Sequence, residues 1–185
     1  MVLSVRQRRN RLFFLLLIFS TGWLWAKPLP EQKVFAALTV NLVRFTRWPE
    51  SVLNHHDSSL NLCVFGDSQV QQVFDEFQTA RIKDRGIHIV YVSRLRRLQS
   101  CQVIFFQDVV ASRLKHMLFL LHSQPILTVG QGVSFIQAGG IVGLDTVNHK
   151  PRLYINLATL KASGLIISAR VLKLAEVFNF PVKTD

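Results

Sequence analysis

The chain has 185 residues, with 22 lysines and arginines against 11 acidic residues, a net charge of +11 and 49% apolar residues. That length holds one domain with a sizeable core, and the apolar share, with no low-complexity block or internal repeat, excludes a disordered chain. The basic residues are scattered apart from Arg94, Arg96 and Arg97, and no aromatic platforms interleave them, so no nucleic-acid partner is expected.

The first 26 residues stand apart from the rest. Arg6, Arg8, Arg9 and Arg11 form a positive region, residues 12–19 are uninterrupted apolar, and Trp23-Leu-Trp-Ala26 then meets Lys27-Pro28. This is the layout of a secretory signal peptide over 1–26, cut after Ala26, although Leu24 stands where a small residue is usual. The rival is an uncleaved anchor, but residues 12–26 fall short of the roughly 20 that cross a bilayer. No cysteine follows the apolar run, so a lipid anchor is not supported. Export would leave a single domain over 27–185. Its basic surface would meet an acidic protein partner, anionic lipid head groups, or nothing but solvent.

From Glu31 the residues Val34, Leu38, Leu42, Phe45 and Trp48 recur at steps of three and four, predicting an amphipathic helix stopped by Trp48-Pro49. Phe35, Ala36, Val40 and Val43 widen its apolar arc beyond one buried face. Two readings follow: a neighbouring element covers the helix, or its outer arc meets another subunit or a partner. Leu60-Asn-Leu-Cys-Val-Phe-Gly66 reads as a buried strand, with Asp67-Ser68 capping a short helix through Val70, Val73, Phe74 and Phe77. After the Asp84-Arg-Gly86 turn, Ile87-His-Ile-Val-Tyr-Val92 is the next strand. Cys101-Gln-Val-Ile-Phe-Phe106 is the third, with a helix over 109–122 behind it. Ile126-Leu-Thr-Val129 is a fourth strand, followed by a glycine-rich turn, Gly130-Gln-Gly132. Gly139-Gly140 leads into a hairpin from Ile141 to Ile155 around Val147-Asn-His-Lys150, and a helical segment then runs from Leu160 to Ala175. Strands alternating with helices predict an α/β fold: one domain, a largely parallel sheet with flanking helices, and an antiparallel hairpin at one edge.

Cys63 and Cys101 are the two cysteines, each on a predicted strand. In the cytosol they would be apolar fillers; in an exported protein they are expected to form a disulfide worth up to about 4 kcal/mol. A redox-sensing role would require the bond to be strained or exposed.

No catalytic constellation assembles. Ser112-Arg-Leu-Lys115 spells S-x-x-K without its S-D-N and K-T-G companions, so Ser112 reads as a residue opening a helix. Gly130-Gln-Gly-Val-Ser-Phe135 has Phe135 where the dinucleotide fingerprint requires a small residue. His55-His-Asp57 cannot share one helix face, and none of the six histidines has metal-ligand spacing. Asp75-Glu76, an adjacent acidic pair, looks like a helix surface. An enzyme, a cofactor and a bound metal are therefore not expected.

Several of these pieces, in this order and spacing, resemble the YfiR (HmsC-like) family. They are Lys33-Val-Phe-Ala-Ala37, Phe45-Thr-Arg-Trp-Pro49, Leu62-Cys-Val-Phe-Gly66, Gly86-Ile-His-Ile-Val90 and Cys101-Gln-Val-Ile-Phe-Phe106. With them go Ile126-Leu-Thr-Val129, Gly139-Gly140, Leu153-Tyr-Ile-Asn156, Gly164-Leu165, Ser168 and Leu172-Lys-Leu-Ala175. The resemblance implies a periplasmic regulator that holds down an inner-membrane diguanylate cyclase through its periplasmic part, and so controls cyclic di-GMP and biofilm formation. It also implies sequestration by an outer-membrane lipoprotein, and a stabilising disulfide at Cys63 and Cys101. Some members carry a second cysteine pair in the region matching residues 139–152, and this chain has none there. With no reactive site, function is expected in surfaces: Phe35, Leu42, Phe45 and Trp48, with the loops at Gly130, Gly132, Gly139 and Gly140, as part of a homodimer or partner face. The alternative is a periplasmic small-ligand binder whose glycine turns line a cleft at the strand ends.

Overall fold

The computed structural model describes residues 31–53, 59–82, 85–93 and 95–181. The expected leader over 1–26, the His55-His-Asp57 stretch, Asp84, Arg94 and the last four residues lie outside that description.

The first half of the chain forms α1 (Glu31–Arg44), β1 (Thr46–Arg47), β2 (Leu60–Phe65), α2 (Ser68–Asp75), β3 (Arg81–Ile82) and β4 (Arg85–Tyr91). A 3-10 turn (Leu95–Ser100), β5 (Val103–Phe106), α3 (Ala111–Leu121), β6 (Leu127–Gln131) and α4 (Gly132–Gln137) follow. The chain closes with β7 (Val142–Val147), β8 (Lys150–Asn156), α5 (Leu157–Ala162), β9 (Ile166–Ile167), α6 (Ala169–Leu174) and β10 (Glu176–Phe178). Eight strands make one sheet in the order β10-β8-β7-β6-β5-β2-β4-β3, while β1 and β9 pair separately. Pairing is parallel from β4 through β2, β5 and β6 to β7, and antiparallel between β7 and β8 and between β3 and β4. The fold is thus the expected mixed α/β domain with a mostly parallel sheet. The β7–β8 hairpin lies one strand inside the edge, because β10 returns to pair in parallel with β8. Its turn is two residues, Asn148 and His149, with φ of 51° and 59°. That left-handed pair matches the twist of the flanking strands.

Side-chain alternation along the strands divides the core in two. Leu60, Leu62 and Val64 of β2, with Val103 and Phe105 of β5, face the layer of α1, α2, α5 and α6. Cys63, Phe65, Ile104 and Phe106 face the layer of the 3-10 turn, α3 and α4. Each fully buried Leu, Ile or Phe contributes about 2–3 kcal/mol on transfer. Phe74 of α2 and Phe105 join the first layer to the sheet, ring centroids 5.0 Å apart.

Two expectations are corrected. In α1 the inward face is Phe35, Ala36, Thr39, Val40, Leu42 and Val43, rotated from the stripe that begins at Val34 and Leu38. Thr39 sits in that face because its hydroxyl donates to the Phe35 carbonyl at 2.7 Å, so a polar side chain is buried without an unmet bond. The segment from Leu160 to Ala175 is not one helix. Gly164, at φ 70°, ends α5, and the Ile166-Ile167 pair then alternates outward and inward as β9 before α6 begins.

Candidate functional site

The chain leaves β2 toward α2 on one face of the sheet and leaves β5 toward α3 on the other. Neighbouring strands whose connections diverge in this way leave a crevice at their carboxyl ends. Two adjoining clefts occupy that place, sharing Gln107 and Asp108. One, of about 450 Å³, is lined by Phe65, Gly66, Tyr91, Gln107 and Arg113 among others. The other, of about 360 Å³, is lined by Phe106, Val109, Leu114, Gln131 and Phe135 among others.

The polar groups here are held in place. The Arg113 guanidinium lies 5.0 Å above the Phe65 ring centroid, and its Nη2 donates to the Ser93 carbonyl at 3.1 Å. Asp67 caps α2: its Oδ1 accepts from the amides of Gln69 and Val70, each at 3.0 Å. The Tyr91 hydroxyl donates to the Gln71 carbonyl at 2.9 Å and to the Asp75 carboxylate. Burial first, then the hydrogen bond to Asp75 and its negative charge, push the Tyr91 phenol up to about 12. Asp108, exposed at the mouth, adopts φ 53°, a conformation that Asp tolerates better than most residues. The result, among the described residues, is an aromatic-walled recess with the Arg113 cation and carboxylates at its rim, chemistry suited to binding. Among the described residues no group of three His, Cys, Asp or Glu side chains is placed to hold a metal. Ser112 and Lys115 lie on the exposed side of α3, outside both clefts.

The expected interface residues are dispersed. Phe35 and Leu42, expected on a partner face, are 3% and 5% exposed and belong to the core under α1. Phe45 is exposed, and Trp48 is half-buried with its Nε1 donating to the Gln102 carbonyl at 3.3 Å. Gly130, Gly132, Gly139 and Gly140 are all buried, so they form no outward loop. A Cβ at Gly130 or at Gly140 would overlap the Phe135 ring, which lies between the two backbones. The turn expected at Gly130-Gln-Gly132 is instead the end of β6 running directly into α4, and Gly130 and Gly140 seat the aromatic residue of that helix. Cys63 and Cys101 are joined in a disulfide with Cα atoms 5.8 Å apart, and both are buried.

Sequence reasoning missed Tyr91, Asp108 and Arg113. The signal was present: Tyr91 ends a strand, Asp108 follows one, and Arg113 sits in the first turn of the next helix. Such positions face the crevice of an open α/β sheet.

Fold and crevice together define an open α/β protein with paired clefts at the carboxyl ends of its parallel strands. The chain belongs to the YfiR/HmsC-like family, whose profile matches residues 32–176. No curated protein sequence matches it. Among solved structures it is similar to a conserved domain protein from Vibrio cholerae O1 biovar El Tor, at 14% identity and a TM-score of 0.52, over 77% of this chain and 59% of that one. It is also similar to an ABC domain from Streptococcus pneumoniae solved in complex with L-Trp, at 14% identity and a TM-score of 0.53, over 77% of this chain and 60% of that one. The chain thus spans about three fifths of those proteins, and the likeness is one of fold.

Proposed function

We propose that this chain is an exported, periplasmic regulatory binding protein that represses an inner-membrane diguanylate cyclase through the cyclase's periplasmic sensor region. Lower cyclic di-GMP and restrained biofilm formation follow from that repression. The observation that carries the reading is family membership across residues 32–176, which takes in nearly the whole sheet. The chain works as a binder and not as an enzyme. An outer-membrane lipoprotein that competes for it releases the cyclase, and mass action alone sets how far. Phe45 and Trp48, beside the β1–β9 ribbon where Ile166 is 54% exposed, remain the candidate partner or dimer face.

The test is a pull-down from solubilised envelope with the C-terminally tagged protein. Recovery of an inner-membrane protein with a diguanylate cyclase domain is expected, together with higher cyclic di-GMP in cells lacking this chain. Unchanged cyclic di-GMP would end the reading. A second reading, a periplasmic small-ligand binder, is favoured by the paired clefts at the strand ends. A ligand that raises Tm in a metabolite screen supports it, and Arg113→Ala should abolish that shift.

A further inference from the structure

The β7–β8 hairpin outgrows the strands on both of its sides. Strand β7 pairs with β6 only as far as Leu144, and β8 meets β10 only from Tyr154 onward. The pairs nearest the tip are Asp145 with Arg152, Thr146 with Pro151 and Val147 with Lys150. Among the described residues no strand lies beside them. They form a free two-stranded arm, exposed from Val147 to Arg152, at the end of the sheet that holds the clefts. Unpaired edges of this kind accept the backbone of another chain. The register tells which groups point outward. A two-residue turn makes Val147 and Lys150 bond to each other, and successive pairs then alternate between bonding inward and facing outward. The bond from the Asn156 amide to the Ile141 carbonyl falls in the same alternation. Thr146 and Pro151 therefore aim their backbones away from the hairpin, one on each edge. Both positions are closed to a strand. The Thr146 N–H donates to Asp145 Oδ1 at 2.7 Å, and Pro151 has no N–H to offer.

We propose that Asp145 and Pro151 are a guard that keeps this arm from pairing edge to edge with a second copy of the chain. The two edges are blocked by different means, a carboxylate on β7 and a pyrrolidine ring on β8, at the same rung of the hairpin. One rung is enough, because the turn leaves no further outward position beyond it. Within the sheet proper no such block is needed, since β6 and β10 occupy the same two edges. A second copy is what the guard excludes. Two identical edges pair antiparallel about a two-fold axis with nothing else required of the surfaces. The guard acts on the chain alone, whatever its regulatory partner.

The experiment is sedimentation velocity of the full chain and three variants, all with the same N-terminus. Asp145→Ala frees the Thr146 N–H and opens the β7 edge. Pro151→Thr supplies an N–H and opens the β8 edge. Each alone should double the mean mass relative to the parent, because one open edge is used up in a closed two-fold pair. The double variant has both edges open and should grow into open-ended arrays. In the associated forms, amide exchange at positions 146 and 151 should slow about tenfold. Both changes fall in the free arm, so the variants should melt as the parent does. Masses equal to the parent's in all three variants would overturn the proposal. So would association that leaves both amides exchanging as fast as in the monomeric arm, since the contact would then lie elsewhere.

Discussion

The two halves of the sheet are held by different means. Around β2 and β5 the strands are near-continuous apolar runs, and Cys63–Cys101 ties β2 to the junction between the 3-10 turn and β5. Around β6, β7 and β8 there is no covalent link. Phe135 is clasped between Gly130 and Gly140, and Asn156 ties three segments together. The Asn156 amide donates to the Ile136 and Phe180 carbonyls at 3.1 and 3.0 Å, and its Oδ1 accepts from the Ala158 amide at 3.1 Å. The first half is secured by a bond that limits the unfolded chain, the second by contacts that exist only in the folded one. Stability in the first half should therefore answer to reductant, and in the second to single atoms.

The largest expected effect breaks the staple. Cys63→Ala with Cys101→Ala should lose about 4 kcal/mol in denaturant unfolding, the loop-closure value for a separation of 38 residues. Because both sulphurs are buried, reductant should have no effect on the native protein until it opens. In the other half, Gly140→Ala pushes a methyl into the Phe135 ring and should cost about 3 kcal/mol, with or without reductant. Asn156→Ala strands the buried Ile136 carbonyl and the half-buried Phe180 carbonyl and should cost about 2 kcal/mol, freeing the Phe180 end first in hydrogen exchange. A smaller effect lies in pH. The Tyr91 phenol is raised from 10.0 to about 12, so its protonated form is favoured by the fold. That contribution is complete below pH 10 and fades as the pH climbs toward 12, and Tyr91→Phe should remove this alkaline slope. Smallest is Lys33→Ala, which breaks an exposed pair with Glu76 and should change stability by no more than about 0.5 kcal/mol.

The same contrast explains what could be read from the sequence. Strands β2, β5 and β6 were legible because a parallel strand buried on both faces is a nearly unbroken apolar run, and β4 because its buried Ile87 and Ile89 alternate with the exposed His88. The pairing of Cys63 with Cys101 followed from the count of two and from the expectation of export. Helix α4 was not legible: at six residues it shows no full period, and of the glycines that ordinarily punctuate, Gly130 serves here to admit the Phe135 ring while Gly132, at φ 70°, opens the helix. The inward face of α1 was misread because Thr39 is polar by type yet satisfied by its own helix. The crevice was hidden for a different reason. Tyr91 ends β4 while Asp108 and Arg113 follow β5, one in a loop and one on a helix, and no periodicity links them until the sheet brings them together.

The small β1–β9 ribbon sets when this molecule can become itself. Thr46 pairs with Ile167 and Arg47 with Ile166, and the Ser168 amide donates to the Phe45 carbonyl at 2.9 Å. The segment just after the first helix is thus clasped by one from far along the chain. Closing so long a loop is slow. Thr46 and Arg47 therefore gain their sheet partners late in folding, after the local βα units have formed, and until then their backbone groups are open to solvent or to other polypeptide.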